Sequence, residues 1–97
     1  MHLLRLDHFA GQMNETFYVD IDQARVPFVL VEARPLQHRP MPGLMREPFS
    51  LLFRNASPVL FPQRTYAMGS ERMAEFGIFL VPVARDKDGF LYQAVFN

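Results

Sequence analysis

The sequence predicts an all-β protein: a small six-stranded antiparallel barrel or sandwich with one or two short helical turns. Short runs rich in β-branched and aromatic residues, which suit pleated strands, recur along the 97 residues. The gaps between these runs leave no room for crossover helices, so neighbouring strands are expected to run antiparallel. Helical turns have room only near residues 3–11 and 70–76.

The first predicted element is a short turn or helix. Leu3, Leu6 and Phe9 lie at helical intervals, and Gly11 is a natural stop. We expect this turn to place Leu6 and Phe9 on the core.

Six strands follow. They are predicted at residues 16–21, 26–34, 49–54, 65–68, 78–84 and 90–96. The first strand places Phe17 and Val19 on one face and Tyr18 and Asp20 on the other, an alternation typical of a half-solvated strand. Residues 70–76 either form one helical turn or stay irregular.

The last two strands form a predicted hairpin. Neither run alternates with polar residues, which indicates burial on both faces. The turn between them, residues 85–89, contains Asp86, which favours turn starts, and Gly89, which supplies positive φ. Pro82 has no N–H to donate, so it must lie at a bulge or face away from a neighbouring strand.

The segment 35–48 is a predicted loop. It holds four prolines and one glycine in fourteen residues, which excludes a regular element. Loops this long in a small domain are often functional. Its apolar side chains, which either pack back on the body or contact a partner, are Leu36, Met41, Leu44 and Met45.

The composition indicates a single domain covering residues 1–97. Half of the residues are hydrophobic and ten are Phe, which is enough for a compact core. There is no cysteine, so disulfides and thiolate metal sites are excluded. No run approaches the roughly 20 apolar residues that span a bilayer. Arg5 and Asp7 interrupt the apolar start that a signal peptide would need, so the expected location is the cytoplasm.

The formal net charge is zero, but the charges are unevenly placed. Residues 33–64 carry five Arg and one Glu, whereas residues 1–32 carry an acidic excess. A nucleic-acid-binding domain usually has a strong basic excess, so nucleic acid is not an expected partner. The simpler interpretation is that the acidic first third faces the basic middle third; the alternative is an anion-binding patch.

Ordered motifs in the second half resemble a bacterial family of small domains of unknown function. They are the segments PFSLLFR at 48–54, Pro-Gln at 62–63 with Tyr66, FLVPV at 79–83 and YQAVFN at 92–97. The resemblance implies no known activity. It implies an association with phage-tail-like or tail-collar proteins, because members accompany them.

The resemblance also sets expectations for single residues. Asn55 stands where the family often has Gly and is expected to preserve a left-handed turn, whereas Arg64 replaces a common Gly. Gln63 is expected to hydrogen-bond an unpaired backbone group or to contact a ligand. The motif residues expected in the core are Phe49, Leu51, Leu52, Phe53, Phe79 and Val81.

Residue patterns for catalysis are missing. None of Ser50, Ser57 and Ser70 lies in a Gly-x-Ser-x-Gly elbow. The histidines at positions 2, 8 and 38 lack the spacing of a metal site. We therefore expect no enzyme, no metal and no cofactor, although an enzyme with dispersed catalytic residues stays a third hypothesis.

The leading hypothesis is a non-enzymatic β domain that acts by protein–protein contact or as a structural accessory, in a phage-tail-like assembly. The alternative is a small-ligand or anion-binding barrel, in which Arg34, Arg39, Arg46, Arg54 and Arg64 converge on one pocket. The predicted partner is a protein; no nucleic acid and no membrane is expected. The predicted contact residues are Arg39, Met41, Leu44, Met45, Arg46, Arg54, Gln63 and Arg64.

Overall fold

A computed structural model describes residues 3–37, 43 and 46–97. The elements are α1 (Asp7–Ala10), β1 (Thr16–Ile21), β2 (Ala24–Pro35), β3 (Phe49–Asn55), β4 (Arg64–Gly69), β5 (Phe76–Asp86) and β6 (Gly89–Phe96). The six strands form a closed barrel in the order β1-β2-β3-β6-β5-β4, and all neighbours pair antiparallel. The all-β expectation is thus confirmed, and of its two alternatives the fold is the barrel.

Two-residue turns make the hairpins longer than predicted. Ile21 pairs with Ala24, and the two residues between them, Asp22 and Gln23, both have positive φ. That conformation belongs to the type I′ turn, whose twist matches that of the flanking strands. Strand β2 therefore begins two residues before the predicted start. Residues 70–75 are irregular rather than helical, and β5 begins at Phe76.

The strand pairs that close the barrel differ in length. Strand β1 pairs with β2 from Thr16–Val29 to Ile21–Ala24. It pairs with β4 only through Tyr18–Gly69 and Val19–Met68 within the described residues. The β1–β4 seam is therefore the shortest in the barrel.

The terminal hairpin corrects one prediction and confirms another. Burial on both faces is wrong: Ile78 and Leu80 are buried in the barrel, but Phe79 between them is 48% exposed. A single-layered barrel has only one dry side, so alternate side chains must point outward. The register of β5 against β6 shifts between Pro82 and Ala84, so of the two alternatives predicted for Pro82 the structure has the bulge.

The family motifs supply inner and outer residues alike. Phe49, Leu51 and Phe53 are buried as expected. Leu52 and Val81 are only half-buried on the outside, and Phe79 is exposed, so the core assignment is wrong for these three residues. These outward residues look like core in the sequence because they are as apolar as the inner ones.

The β5–β6 turn requires glycine at position 89. The Asp86 carboxylate accepts a hydrogen bond from Asp88 N at 2.8 Å, which confirms the predicted role of Asp in this turn. Gly89 has φ of 131°, and a Cβ there would lie 2.2 Å from the carbonyl oxygen of Asn55. Any side chain at position 89 would therefore collide with the end of β3.

Asn55 does not occupy a left-handed turn. Among the described non-glycine residues, positive φ occurs at Asn14, Asp22 and Gln23, so that expectation for Asn55 is wrong. Its buried side chain instead donates from Nδ2 to Pro27 O at 2.8 Å and accepts from Ser57 N at 2.9 Å. The amide thus ties the ends of β2 and β3 to the next loop.

One phenylalanine closes each end of the barrel. At the upper end, where β1, β3 and β5 begin, Phe9 of α1 packs against four rings with centroids 5.8–6.1 Å away: Phe17, Phe49, Phe76 and Phe96. At the lower end, Phe61 of the β3–β4 connection packs against Phe28 and Tyr92. As predicted, α1 delivers Phe9 to the core.

Candidate functional site

The barrel interior is filled with side chains. Phe17, Phe28, Leu30 and Phe53 have no exposed surface, and the two end plugs cover them. Close packing of this kind leaves no inner chamber for a ligand. A site formed by the described residues must therefore lie on the outer surface or at the rims.

One apolar feature of that surface runs across β3, β6 and β5. In the strand register, Gln93 of β6 pairs with Leu52 of β3 on one side and with Val81 of β5 on the other. Phe79, Val83 and Val95 are each 48% exposed. We call this surface the outer apolar face; it consists of Leu52, Phe79, Val81, Val83 and Val95.

Other exposed apolar side chains lie away from this face. Val59 and Leu60, 58% and 55% exposed, belong to the β3–β4 connection. A separate apolar groove of about 560 Å³ at the upper end is lined by Leu4, His8 and residues 73–77. Scattered exposed residues need no explanation, but several on adjacent strands form a contiguous patch, which is typical of a contact site.

Half of the predicted contact residues cannot be placed. Arg39, Met41, Leu44 and Met45 lie outside the described residues. Arg46, at the end of the same loop, is described. Its guanidinium donates to Leu4 O at 2.6 Å and to Asn97 O at 3.1 Å, and it lies over the rings of Phe49 and Phe96. These contacts make Arg46 a tie between distant parts of the chain.

Arg54 and Asp86 form an ion pair between β3 and the β5–β6 turn, with 2.9 Å between Nη2 and Oδ2. Hydrogen bonds from the Asp88 backbone N–H and from Arg54 lower the pKa of the Asp86 carboxyl. The contact links β3 to the β5–β6 turn at the lower end of the barrel.

The other described polar residues predicted for a site form no hydrogen bond or ion pair with one another. The guanidinium of Arg64 lies 5.0 Å from the centroid of the Tyr66 ring. Arg34 pairs with Glu32 at 3.7 Å on β2. The exposed side chain of Gln63 makes no hydrogen bond within the described part of the chain.

The described arginines do not meet in one pocket. Of Arg34, Arg46, Arg54 and Arg64, only Arg46 lines any of the four principal cavities. Each of the four has a different partner, so they do not form the converging set that an anion site requires. Arg39 lies outside the described residues.

Two polar cavities along β1 were not predicted as a site. They have volumes of about 420 and 480 Å³ and share Tyr18 and Ser70 in their walls. The sequence did carry one signal, since Tyr18 and Asp20 lie on the predicted solvent face of an alternating strand. The opposite wall comes from residues 70–75, fifty residues away along the chain, and spacing alone gives no indication of that contact.

No three His, Asp or Glu residues of residues 3–37, 43 and 46–97 lie close enough to hold a metal ion. Over the same residues, no helix has the length and apolar character needed to cross a membrane.

Comparison with known proteins assigns the chain to a family. A family model described as "Domain of unknown function (DUF6916)" matches residues 4–96. No curated protein and no solved structure matches the chain. Because the family model spans nearly the whole barrel, from the segment before α1 to the end of β6, this protein belongs to the DUF6916 family.

Proposed function

We propose that this domain is a non-enzymatic protein–protein contact module and that the outer apolar face is its contact surface. The observation that carries the proposal is the exposure of Phe79, Val83 and Val95, each 48%, on two adjacent strands. Polar side chains at these outward positions would cost no packing energy, because the barrel core lies on the other side of the sheet. Apolar side chains there gain free energy only when something covers them.

The shape of the face favours a protein partner over a small ligand. Small-ligand sites are concave and bury most of the ligand surface. The outer apolar face follows the outside of a barrel, and no described element covers it. Its central Gln93 adds one polar group, which suits a protein interface with an apolar centre.

The absence of catalysis belongs to the same proposal. The Ser57 and Ser70 hydroxyls accept hydrogen bonds from backbone N–H groups within their own turns, and neither bonds a histidine among the described residues. The motif resemblance described above favours a bacterial phage-tail-like assembly as the place where this domain acts. The loop residues Arg39, Met41, Leu44 and Met45 lie outside the described residues, and their contact role stays a prediction from the sequence.

A matched pair of double variants tests the face. Phe79→Ser with Val95→Ser removes two exposed apolar side chains from the face. Val59→Ser with Leu60→Ser removes two of similar exposure from the β3–β4 connection. Both variants should keep the Tm within a few degrees, because neither alters the core.

The readout is cross-linking and mass spectrometry in a lysate of the source cells. The intact domain and the connection variant are expected to recover the same protein, with cross-links next to β5 and β6. The face variant should lose at least about tenfold of that signal, the equivalent of roughly 1.4 kcal/mol. Equal recovery by all three forms would contradict the proposal, as would no specific recovery by the intact domain.

A further inference from the structure

The two polar cavities along β1 form one groove. One wall consists of the turn at residues 12–15 and the outward side chains of β1, and the other is the loop Ser70–Glu75. Both cavities are lined by Tyr18 and Ser70, so they lie side by side at these residues. We call this feature the β1 groove; it lies at the short β1–β4 seam, away from the outer apolar face.

The groove carries an excess of carboxylates. Glu15, Asp20, Glu71 and Glu75 line it, against the two guanidinium groups of Arg25 and Arg72. Glu15 pairs with Arg72 at 3.5 Å. The other three carboxylates form no ion pair within the part of the chain that the structure describes. They are also too far apart for a metal site, so they suit an extended cationic ligand better than a single ion.

Tyr18 adds an aromatic platform at the junction of the two cavities. Its ring is 36% exposed, and the guanidinium of Arg25 lies 4.7 Å from the ring centroid. A planar guanidinium stacks on an aromatic face better than a lysine ammonium does. The groove therefore already holds one guanidinium, supplied by its own chain.

Gln12 adds a further acceptor to the wall of the groove. It lines the groove, is only 7% exposed and donates from Nε2 to His8 O at 2.6 Å. That bond fixes the amide, and its Oε1 accepts no hydrogen bond. A buried acceptor without a donor destabilises the protein. This amide oxygen and the carboxylates of Asp20, Glu71 and Glu75 are all acceptors, which suits a ligand rich in donors.

We propose that the β1 groove binds an arginine-bearing segment of another polypeptide. A guanidinium of that segment takes the place of Arg25 over Tyr18, and further donors reach Asp20, Glu71 and Glu75. The interaction is charge-assisted and bidentate in the way that arginine favours with carboxylates. This site is separate from the outer apolar face, so it does not depend on the function proposed above.

The probe is a fluorescein-labelled peptide amide, Arg-Gly-Arg-Gly-Arg, followed by fluorescence anisotropy at low salt. The triple variant Asp20→Asn, Glu71→Gln and Glu75→Gln removes three groove carboxylates. The control triple variant Asp7→Asn, Glu47→Gln and Asp88→Asn makes the same change in net charge at exposed positions outside the groove. Since all six residues are exposed, both variants should remain folded.

The peptide is expected to bind the intact domain, and the groove variant should bind at least about tenfold more weakly than the control variant. Arg25→Gln should bind about threefold more tightly than the intact domain, because the competing guanidinium is gone. The Lys-Gly-Lys-Gly-Lys peptide should bind more weakly than the arginine peptide, and Tyr18→Ala should remove that difference.

Three results would overturn the proposal. One is no binding of the arginine peptide at millimolar concentration. Another is an equal loss in the groove and control variants, which would indicate general charge attraction. The third is weaker binding by Arg25→Gln, which would mean that Arg25 does not compete for Tyr18.

Discussion

Phe9 and Phe61 close opposite ends of the same barrel, yet different interactions hold them. Phe9 is fully buried on a short helix and touches four other phenylalanines. Phe61 is half-buried on an irregular connection and touches only Phe28 and Tyr92 among the aromatic rings of the described residues. Its backbone N–H donates to the Tyr92 hydroxyl at 3.0 Å.

The difference shows how a small barrel can be sealed in two ways. The upper end depends on apolar packing, with Arg46 tying Leu4 and Asn97 across it. The lower end depends on directional hydrogen bonds, donated by Phe61 N–H to the Tyr92 hydroxyl, by the Tyr66 hydroxyl to Pro62 O, and by Asn55 Nδ2 to Pro27 O. Stability that comes from packing is lost when side-chain volume is removed. Stability that comes from hydrogen bonds depends on the geometry of donor and acceptor and on their protonation.

The largest effect is expected at the upper plug. Phe9→Ala should lower the free energy of unfolding by about 3–5 kcal/mol, because it leaves a cavity among rings that cannot collapse around it. Denaturant unfolding with a constant m-value measures this change. Phe79→Ala is the control, since Phe79 is an outward aromatic, and should cost no more than about 1 kcal/mol. Equal losses in the two variants would refute the importance of the upper plug.

A smaller effect is expected at the lower plug. Phe61→Ala should cost about 2 kcal/mol, because its ring is only half-buried and its backbone bond to Tyr92 survives. The same denaturation measurement compares the loss in the free energy of unfolding at the two ends of the barrel. A loss as large as that of Phe9→Ala would remove the distinction drawn between them.

Arg46 should contribute less than either plug. Arg46→Met keeps most of the apolar length over Phe49 and Phe96 but removes both donors, and about 1 kcal/mol of stability should be lost. Arg46→Lys should recover only part of that loss, because an ammonium lacks the planar fork. Thermal unfolding of the three forms tests this; full recovery by lysine would show that charge alone matters.

The smallest effect concerns pH at the lower end. Burial raises the pKa of the Tyr92 hydroxyl above its ordinary 10.0. As the pH rises, the unfolded chain therefore loses the Tyr92 hydroxyl proton before the folded protein does. The contribution of this hydroxyl to the free energy of unfolding is fully present below pH 10.0 and is lost as the pH rises through the folded-state pKa of Tyr92. Tyr92→Phe should be less stable at neutral pH yet show a flatter decline between about pH 9 and 11. If the stabilities of the intact protein and of Tyr92→Phe declined in parallel over this pH range, Tyr92 would not be the titrating group.

Local patterns predicted the strands well, because turn residues and alternation act over few positions. The Asp86 and Gly89 turn is an example, and so is the Pro82 bulge. Contacts between distant residues escaped prediction. The bonds from Arg46 to Leu4 and Asn97 and from Asn55 to Pro27 join residues 28 to 51 positions apart, and nothing near those residues indicates them.

The prediction of which residues are buried was wrong for a different reason. Phe79 and Val95 are as apolar as any core residue, so the sequence cannot separate an inner face from an outer face that is also apolar. The failure coincides with the proposed contact surface, which is where local rules and global fold are expected to disagree. The β1 groove was missed because its walls come from residues 12–20 and 70–75, which only the closed barrel brings together.

The short β1–β4 seam has a consequence for motion. Only Tyr18–Gly69 and Val19–Met68 join these strands, so the seam separates with the loss of fewer ladder bonds than any other pair. Native-state hydrogen exchange should therefore be fastest there, ahead of the β2–β3 and β3–β6 ladders. An opened barrel is a curved sheet with two free edges, and such edges recruit strands from a second copy. At high concentration, strand-swapped dimers should begin at this seam.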